Sequence, residues 1–173
     1  MSERYTESSY DHVSTKMRAK AIDKIIGEPT IVTYGILEDQ LAVMASTIKT
    51  SHAAWGGKHG HLPLVVGTAK YVTITTIDTH VTTRQVKPAA VDPAIDGNTT
   101  NFKRLKKTRK WDIKIREFEL QEEVDDVLKE CIIESVDEQY IDELKKDYVG
   151  HADETTKTLL SQIKTTWYKI TTR

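Results

Sequence analysis

Trp55-Gly56-Gly57-Lys58-His59-Gly60-His61-Leu62-Pro63-Leu64-Val65-Val66 packs three glycines and two histidines into one turn and then runs apolar without interruption. A run of that length between glycines is a buried strand or a buried helical turn, and periodicity does not separate the two. Upstream, Ile36, Leu37, Leu41, Met44, Ala45 and Ile48 recur at helical spacing. Thr33 is the candidate N-cap of that helix, and Gly56-Gly57 is its candidate end. Gly56, Gly57, His59, Gly60 and His61 are therefore expected to be structural: glycines reach backbone angles closed to other residues, while a histidine nitrogen bonds a nearby carbonyl.

Outward from the turn, the rest of the chain also reads as mainly α. Val13, Met17, Ala21, Ile22, Ile25 and Ile26 predict a first helix stopped by Gly27 and Pro29, giving an N-terminal helical segment over 1–29 ahead of a helical domain over 30–173. Tyr71 to Ile77 alternates Val, Thr and Ile, which favours strand unless neighbouring helices override it. From 78 to 100, Thr, Pro88, Pro93 and Asp96-Gly97-Asn98 mark an exposed loop or linker. Asn98, Thr99 or Thr100 caps the helical region that follows, which meets no Pro or Gly before Gly150. Its length predicts two or three helices, with breaks near Leu120 and near Val136-Asp137. A last helix from about Asp153 carries Leu159, Leu160, Ile163, Trp167 and Ile170 on one face. Leu37, Leu41, Met44, Leu128, Ile132, Leu160 and Ile163 form the expected core, and Trp55, Trp111 and Tyr148 are expected as exposed contact residues.

Composition excludes several classes. The chain has 173 residues, 38% hydrophobic and 29% charged, with a net charge of -1, as in a globular protein with a heavily charged surface. Cys131 is the sole cysteine, so there is no intramolecular disulfide and no cysteine-pair zinc motif, and a reducing compartment is expected. Apolar runs fall far short of the roughly 20 residues that span a bilayer. A cytoplasmic location without membrane contact is the expectation.

No catalytic constellation stands out. His52, His59 and His61 supply three imidazoles, enough for a metal with an open position and hence for a metal-dependent enzyme. Two of them lie in a glycine-rich turn rather than on a rigid scaffold, so no metal or other cofactor is expected. Gly56-Gly57-Lys58 lacks the G-x-x-x-x-G-K-[ST] pattern of a phosphate loop, and there is no G-x-S-x-G. Cys131 falls on a predicted buried face, where thiols are inert. The carboxylates from Glu117 to Glu130 read as a solvated helix face.

Charge is distributed unevenly. Lys103, Arg104, Lys106, Lys107, Arg109, Lys110, Lys114 and Arg116 stand against Asp112 alone, and Glu117, Glu119, Glu122, Glu123, Asp125, Asp126 and Glu130 follow with only Lys129 between them. One helix bearing both blocks is a dipolar rod. Its basic part is a candidate contact for RNA phosphates or for the acidic part of another subunit.

The order of several motifs resembles the Gag polyproteins of copia-type LTR retrotransposons. The helix Leu37 to Ile48 precedes Gly56-Gly57-Lys58-His59-Gly60, then His61-Leu62-Pro63-Leu64-Val65-Val66, then Tyr71. Leu128, Ile132, Ile133, Val136, Tyr140 and Leu144 follow an L-x-x-x-I-I-x-x-V-x-x-x-Y-x-x-x-L pattern, and Leu159-Leu160 leads to Trp167-Tyr168-Lys169-Ile170-Thr171. The resemblance spans about residues 30 to 171. It implies the N-terminal part of a capsid region: a helical bundle resembling a retrotransposon or retroviral capsid lobe, self-associating into cytoplasmic virus-like particles around RNA, and not an enzyme. The chain carries no zinc knuckle and no Asp-Thr/Ser-Gly protease signature, so a Gag fragment or shortened copy is expected. The alternative is a nucleic-acid-binding module using the segment from Lys103 to Arg116.

Overall fold

The computed structural model describes residues 9–90 and 101–171, with side chains placed from Tyr10 to Ala90 and from Phe102 to Thr166. The expected turn at Asp96-Gly97-Asn98, Pro93, the candidate caps Asn98 to Thr100 and the side chains of Trp167 and Ile170 lie outside the described residues. The described chain is mainly helical: α1 (Ser9–Arg18), α2 (Ile31–Ser46), α3 (Thr68–Thr75), α4 (Asn101–Ser135) and α5 (Thr156–Thr171), with short 3-10 turns at Ala53–Trp55, Leu62–Leu64, Glu138–Tyr140 and Asp142–Leu144. No strand occurs among the described residues, and no helix there is long and apolar enough to cross a membrane.

One apolar cluster joins every helix. Val13 and Met17 of α1, Leu37, Leu41, Met44 and Ala45 of α2, Tyr71 of α3, Val124, Val127, Leu128, Cys131 and Ile132 of α4, and Leu159, Leu160 and Ile163 of α5 are all buried in it. The seven expected core residues are among them, each at most 3% exposed. Leu62, Leu64, Val65 and Val66 enter the same cluster as a 3-10 turn, which settles the open choice for that run.

Tertiary contacts move several expected boundaries. α1 stops at Arg18, well before Gly27, because Arg18 bonds Glu130 and Glu134 of α4 at 2.9 and 2.8 Å, and the chain beyond is pinned by Ile25 N–H to Ser135 O at 2.8 Å. Ile26, expected on the apolar face, is 90% exposed. The N-cap of α2 is Thr30 rather than Thr33. Their side chains form a reciprocal capping box, with Thr33 as the third residue of the helix. Nor does α2 reach Gly56-Gly57, since it ends at Thr47, whose N–H returns to Met44 O.

Within Tyr71 to Ile77, the residues to Thr75 belong to α3, Thr76 caps it, and no strand forms. Its threonines are accommodated because Thr73 and Thr75 hydroxyls donate to Ala69 O and Tyr71 O one turn back, and packing of Tyr71 overrides intrinsic preference. α4 runs unbroken through Leu120 for 35 residues, about 50 Å at 1.5 Å per residue. The break at Val136-Asp137 is present. α5 starts at Thr156 rather than Asp153, where the Thr155 hydroxyl accepts Thr158 N–H at 3.2 Å and the Asp125 carboxylate accepts Thr156 N–H at 3.3 Å.

The described part of the expected loop, 78–90, is a strap laid along α4. The Gln121 side-chain amide accepts Gln85 N–H at 2.7 Å and donates to Gln85 O at 3.3 Å, imitating one rung of a strand pair. Arg84 reaches buried Asp125 at 2.7 Å and also bonds Glu122. Its burial would lower the guanidinium pKa, but the two carboxylates reverse this and raise it.

Candidate functional site

The glycine and histidine turn closes the C-terminal end of α2. A helix ends with carbonyls that have no partner inside it. His61 N–H donates to Ala45 O at 3.0 Å and His61 Nδ1 sits 2.9 Å from Ile48 O. A carbonyl only accepts, so Nδ1 carries the proton. Gly60, at φ +54°, makes this approach possible: a Cβ there would stand 2.4 Å from Ile48 O and 2.8 Å from Ser46 O. Gly60 and His61 are buried, Gly57 and His59 half-buried, and Gly56 exposed.

Aromatic rings back the turn. Trp55, expected at the surface, is fully buried, because its indole N–H finds Thr83 O at 3.0 Å and leaves no orphan donor. Edge-on contacts place His52 and His61 at 5.0 and 5.6 Å from Trp55, while His59 lies 6.4 Å from Tyr71. The Tyr71 hydroxyl donates to Trp55 O. The three histidines thus face rings and a carbonyl, and no group of three His, Cys, Asp or Glu side chains among the described residues is placed to hold a metal ion.

Burial lowers the His61 pKa from its ordinary 6.5, with the Ile48 bond and Glu117 acting weakly the other way and His52 adding to the fall. His61 Nε2 is buried without a partner, so protonation places a charge there with nothing to receive it. Because the folded pKa is below the unfolded one, the unfolded chain binds the proton first as pH falls. Stability is therefore lost below about pH 6.5, by up to about 1.4 kcal/mol per pH unit from this group. Urea unfolding at pH 7.5 and pH 5.0 checks this: the wild-type midpoint drops, and His61→Asn, which keeps a donor near Ile48 O, drops less. Equal drops in both proteins would contradict the assignment. Glu117 does not obscure the window. Burial alone would raise its pKa, but bonds from Ser51 and Thr50 hold it below 4.5.

Beyond Glu117 toward its N-terminus, α4 has the character of an arm. Every residue from Phe102 to Lys110 is exposed. Successive residues over more than two turns cover every side of a helix, so no side of this part is buried by the described chain. Lys103, Arg104, Lys106, Lys107, Arg109, Lys110, Lys114 and Arg116 are all exposed, and none forms an ion pair among the described residues.

One stripe explains the arm. Positions 103, 107, 110, 114, 117, 121, 124, 128 and 131 alternate steps of four and three and so share one helix face. In sequence they read Lys, Lys, Lys, Lys, Glu, Gln, Val, Leu, Cys. The face that buries Val124, Leu128 and Cys131 in the body carries four lysines in the arm, with Lys106 beside them. Glu117 and Gln121 mark the change: Glu117 accepts from the hydroxyls of Thr50 and Ser51 at 2.9 and 2.7 Å, and Gln121 holds the strap. Exposed Lys49 and Lys87 sit on the two segments so anchored. Like charges at 103 and 107, 106 and 110, 110 and 114, 103 and 106, and 107 and 110 repel by a few tenths of a kcal/mol per pair, about 1–2 kcal/mol together. A bound polyanion removes that cost.

The acidic block is only in part the solvated face expected: Glu119, Asp126 and Glu130 are exposed, but several of its carboxylates are bonded within the chain. Asp125 is 2% exposed and bonded to Arg84, Lys129 holds Asp126 at 2.7 Å, and Glu130 and Glu134 hold Arg18. Trp111, half-buried, is fixed by its N–H to Ala89 O at 2.9 Å, and Tyr148 is fully exposed at the tip of a tight loop. Sequence reasoning missed Arg84, Gln121 and the Thr50-Ser51 pair. The stripe's passage from Lys through Glu and Gln to Val was the available signal.

No family model, no curated protein and no solved structure matches this chain.

Proposed function

We propose that this chain is a non-enzymatic structural protein that holds RNA along the lysine face of the α4 arm and associates with further copies of itself, as the similarity to copia-type Gag implies. The observation that carries the proposal is the stripe on α4, apolar where the chain can bury it and lysine where it cannot. Five ammonium groups along about 16 Å of helix match a repeating phosphate chain, and no ion pair among the described residues engages them. Such binding is indifferent to sequence.

A second observation favours self-association. α2 is apolar on both sides: Leu37, Leu41 and Met44 face the core, while Val32, Ile36 and Val43 stand outside at 66%, 45% and 51% exposure. Helices apolar all round are normally covered all round. Gly35 lies on the outer side, and a Cβ there would meet nothing within 4 Å. A glycine inside a helix costs about 1 kcal/mol relative to alanine, and nothing among the described residues requires it. Close approach of a second copy's helix accounts for it. Together these support a capsid-type role in cytoplasmic particles.

Titration of a fluorescent oligouridine at increasing salt tests the RNA part. The logarithm of affinity should fall linearly with the logarithm of salt, with a slope of about -3.5 for five lysines on a single strand. Tight binding to anionic lipid vesicles with none to RNA would contradict the proposal.

A further inference from the structure

Beside the lysine stripe, Trp111, Pro88 and Ala89 enclose a cleft of about 360 Å³ whose remaining lining is Lys107, Lys110 and Lys114. Resting on the RNA reading above, we infer that this cleft receives an unpaired nucleobase, so that the arm selects single-stranded over double-stranded nucleic acid. A purely electrostatic arm needs no aromatic group. Here the indole is held by its N–H on Ala89 O, which satisfies its polar edge, and the half-buried ring lines the cleft. Pro88, half-buried on the strap, lines the same cleft.

The strap is placed by bonds independent of any ligand. Gln121 grips Gln85 on both its N–H and its C=O, and Arg84 is tied to Asp125. Pro88 follows closely on that anchor in the chain, so the cleft wall is built before a base arrives. The volume lies near the lower end of the about 300–1,000 Å³ usual for small-molecule clefts, enough for one flat ring system. Lys107, Lys110 and Lys114 at i, i+3 and i+7 follow the same side of the helix and provide for the phosphates on either side of the inserted base. Duplex bases are stacked and paired inside the helix, whereas a single strand turns a base outward at little cost. Stacking on an aromatic side chain is sequence-tolerant, in keeping with an arm that reads backbone charge.

The test uses the full chain, a 12-nucleotide oligouridine and a 12-base-pair RNA duplex at one salt concentration. The wild type should bind the single strand about tenfold more tightly than the duplex. Trp111→Leu should lose that preference while keeping its duplex affinity and salt slope, and Trp111→Phe should keep most of it. In a Trp167→Phe background, quenching of tryptophan emission by oligouridine should be present and should be largely lost when Trp111→Phe is added, because the remaining Trp55 is fully buried. An unchanged single-strand preference in Trp111→Leu would overturn this inference and leave the lysine stripe standing. Polyglutamate competing as well as oligouridine would make the cleft a simple trap for charge and would also overturn it. Failure of the wild type to bind either RNA at low salt would instead remove the RNA reading itself.

Discussion

Gly60→Ala is expected to destabilise the fold by about 3–5 kcal/mol, enough to unfold a chain near the lower end of the usual 5–15 kcal/mol. The new Cβ would stand 2.4 Å from Ile48 O, 2.8 Å from Ser46 O and 3.1 Å from Ala45 O. All three are backbone atoms at the end of α2 and cannot swing aside as a flexible side chain would. Two penalties combine: a residue with a side chain is forced to φ +54°, and the turn must lift away from the carbonyls it caps. Lifting it breaks the His61 bonds to Ala45 O and Ile48 O. Gly35→Ala is the matched control. With open space at its Cβ and a helical backbone, it should raise the unfolding free energy by about 0.5–1 kcal/mol. Urea denaturation followed by circular dichroism reads both, and a Gly60→Ala protein as stable as the wild type would refute the capping role of the turn.

Replacing Lys106, Lys107 and Lys110 together with glutamate should lower affinity for oligouridine by at least about 100-fold near 0.1 M salt and flatten the salt dependence. The substitutions put three negative charges where phosphates are held and interrupt the stripe at its centre. They should leave the fold intact. All three residues are exposed, and the change turns the repulsions of 103 with 106 and 107 and of 110 with 114 into attractions. Lys16, Lys20 and Lys24→Glu, an equal charge change on exposed positions at the other end of the chain, should cost only what a diffuse field costs. If the two triple variants bind alike, the α4 stripe is not the contact.

The core was legible because its signal is a spacing. Leu37, Leu41, Met44, Leu128, Ile132, Leu160 and Ile163 repeat at helical intervals, and every one is buried. Boundaries were less legible because distant partners set them. α1 ends where Arg18 meets Glu130 and Glu134, and no local signal near Arg18 announces those carboxylates. Tyr71 to Ile77 carries strand-forming residues, yet the Tyr71 hydroxyl and ring are held by Trp55 and the core, so a helix forms. Trp55 was misplaced for a similar reason. Its burial depends on Thr83 offering a carbonyl across 28 positions of sequence.

The site divides in the same way. That the basic residues share one segment is plain from the sequence, and the stripe of lysines at positions 103, 107, 110 and 114 follows from helical geometry. That the lysine face of the arm stays exposed is a matter of three dimensions, since it depends on where the body stops, at Glu117 and Gln121. The fate of the acidic block was hidden as well. Its members look alike in sequence, yet Asp125 is buried on Arg84 and Thr156 while Glu119 is exposed. The difference arises from their places around the helix relative to the strap and α5.

The central claim, a structural protein that associates with itself and with RNA, is tested most directly by light scattering after size exclusion over a series of protein and salt concentrations, with absorbance at 260 and 280 nm read on the same peak. The account predicts species whose mass rises with protein concentration, which carry nucleic acid at low salt and release it at high salt. An RNA-free monomer at every concentration and salt, with no change on adding oligouridine, would contradict it.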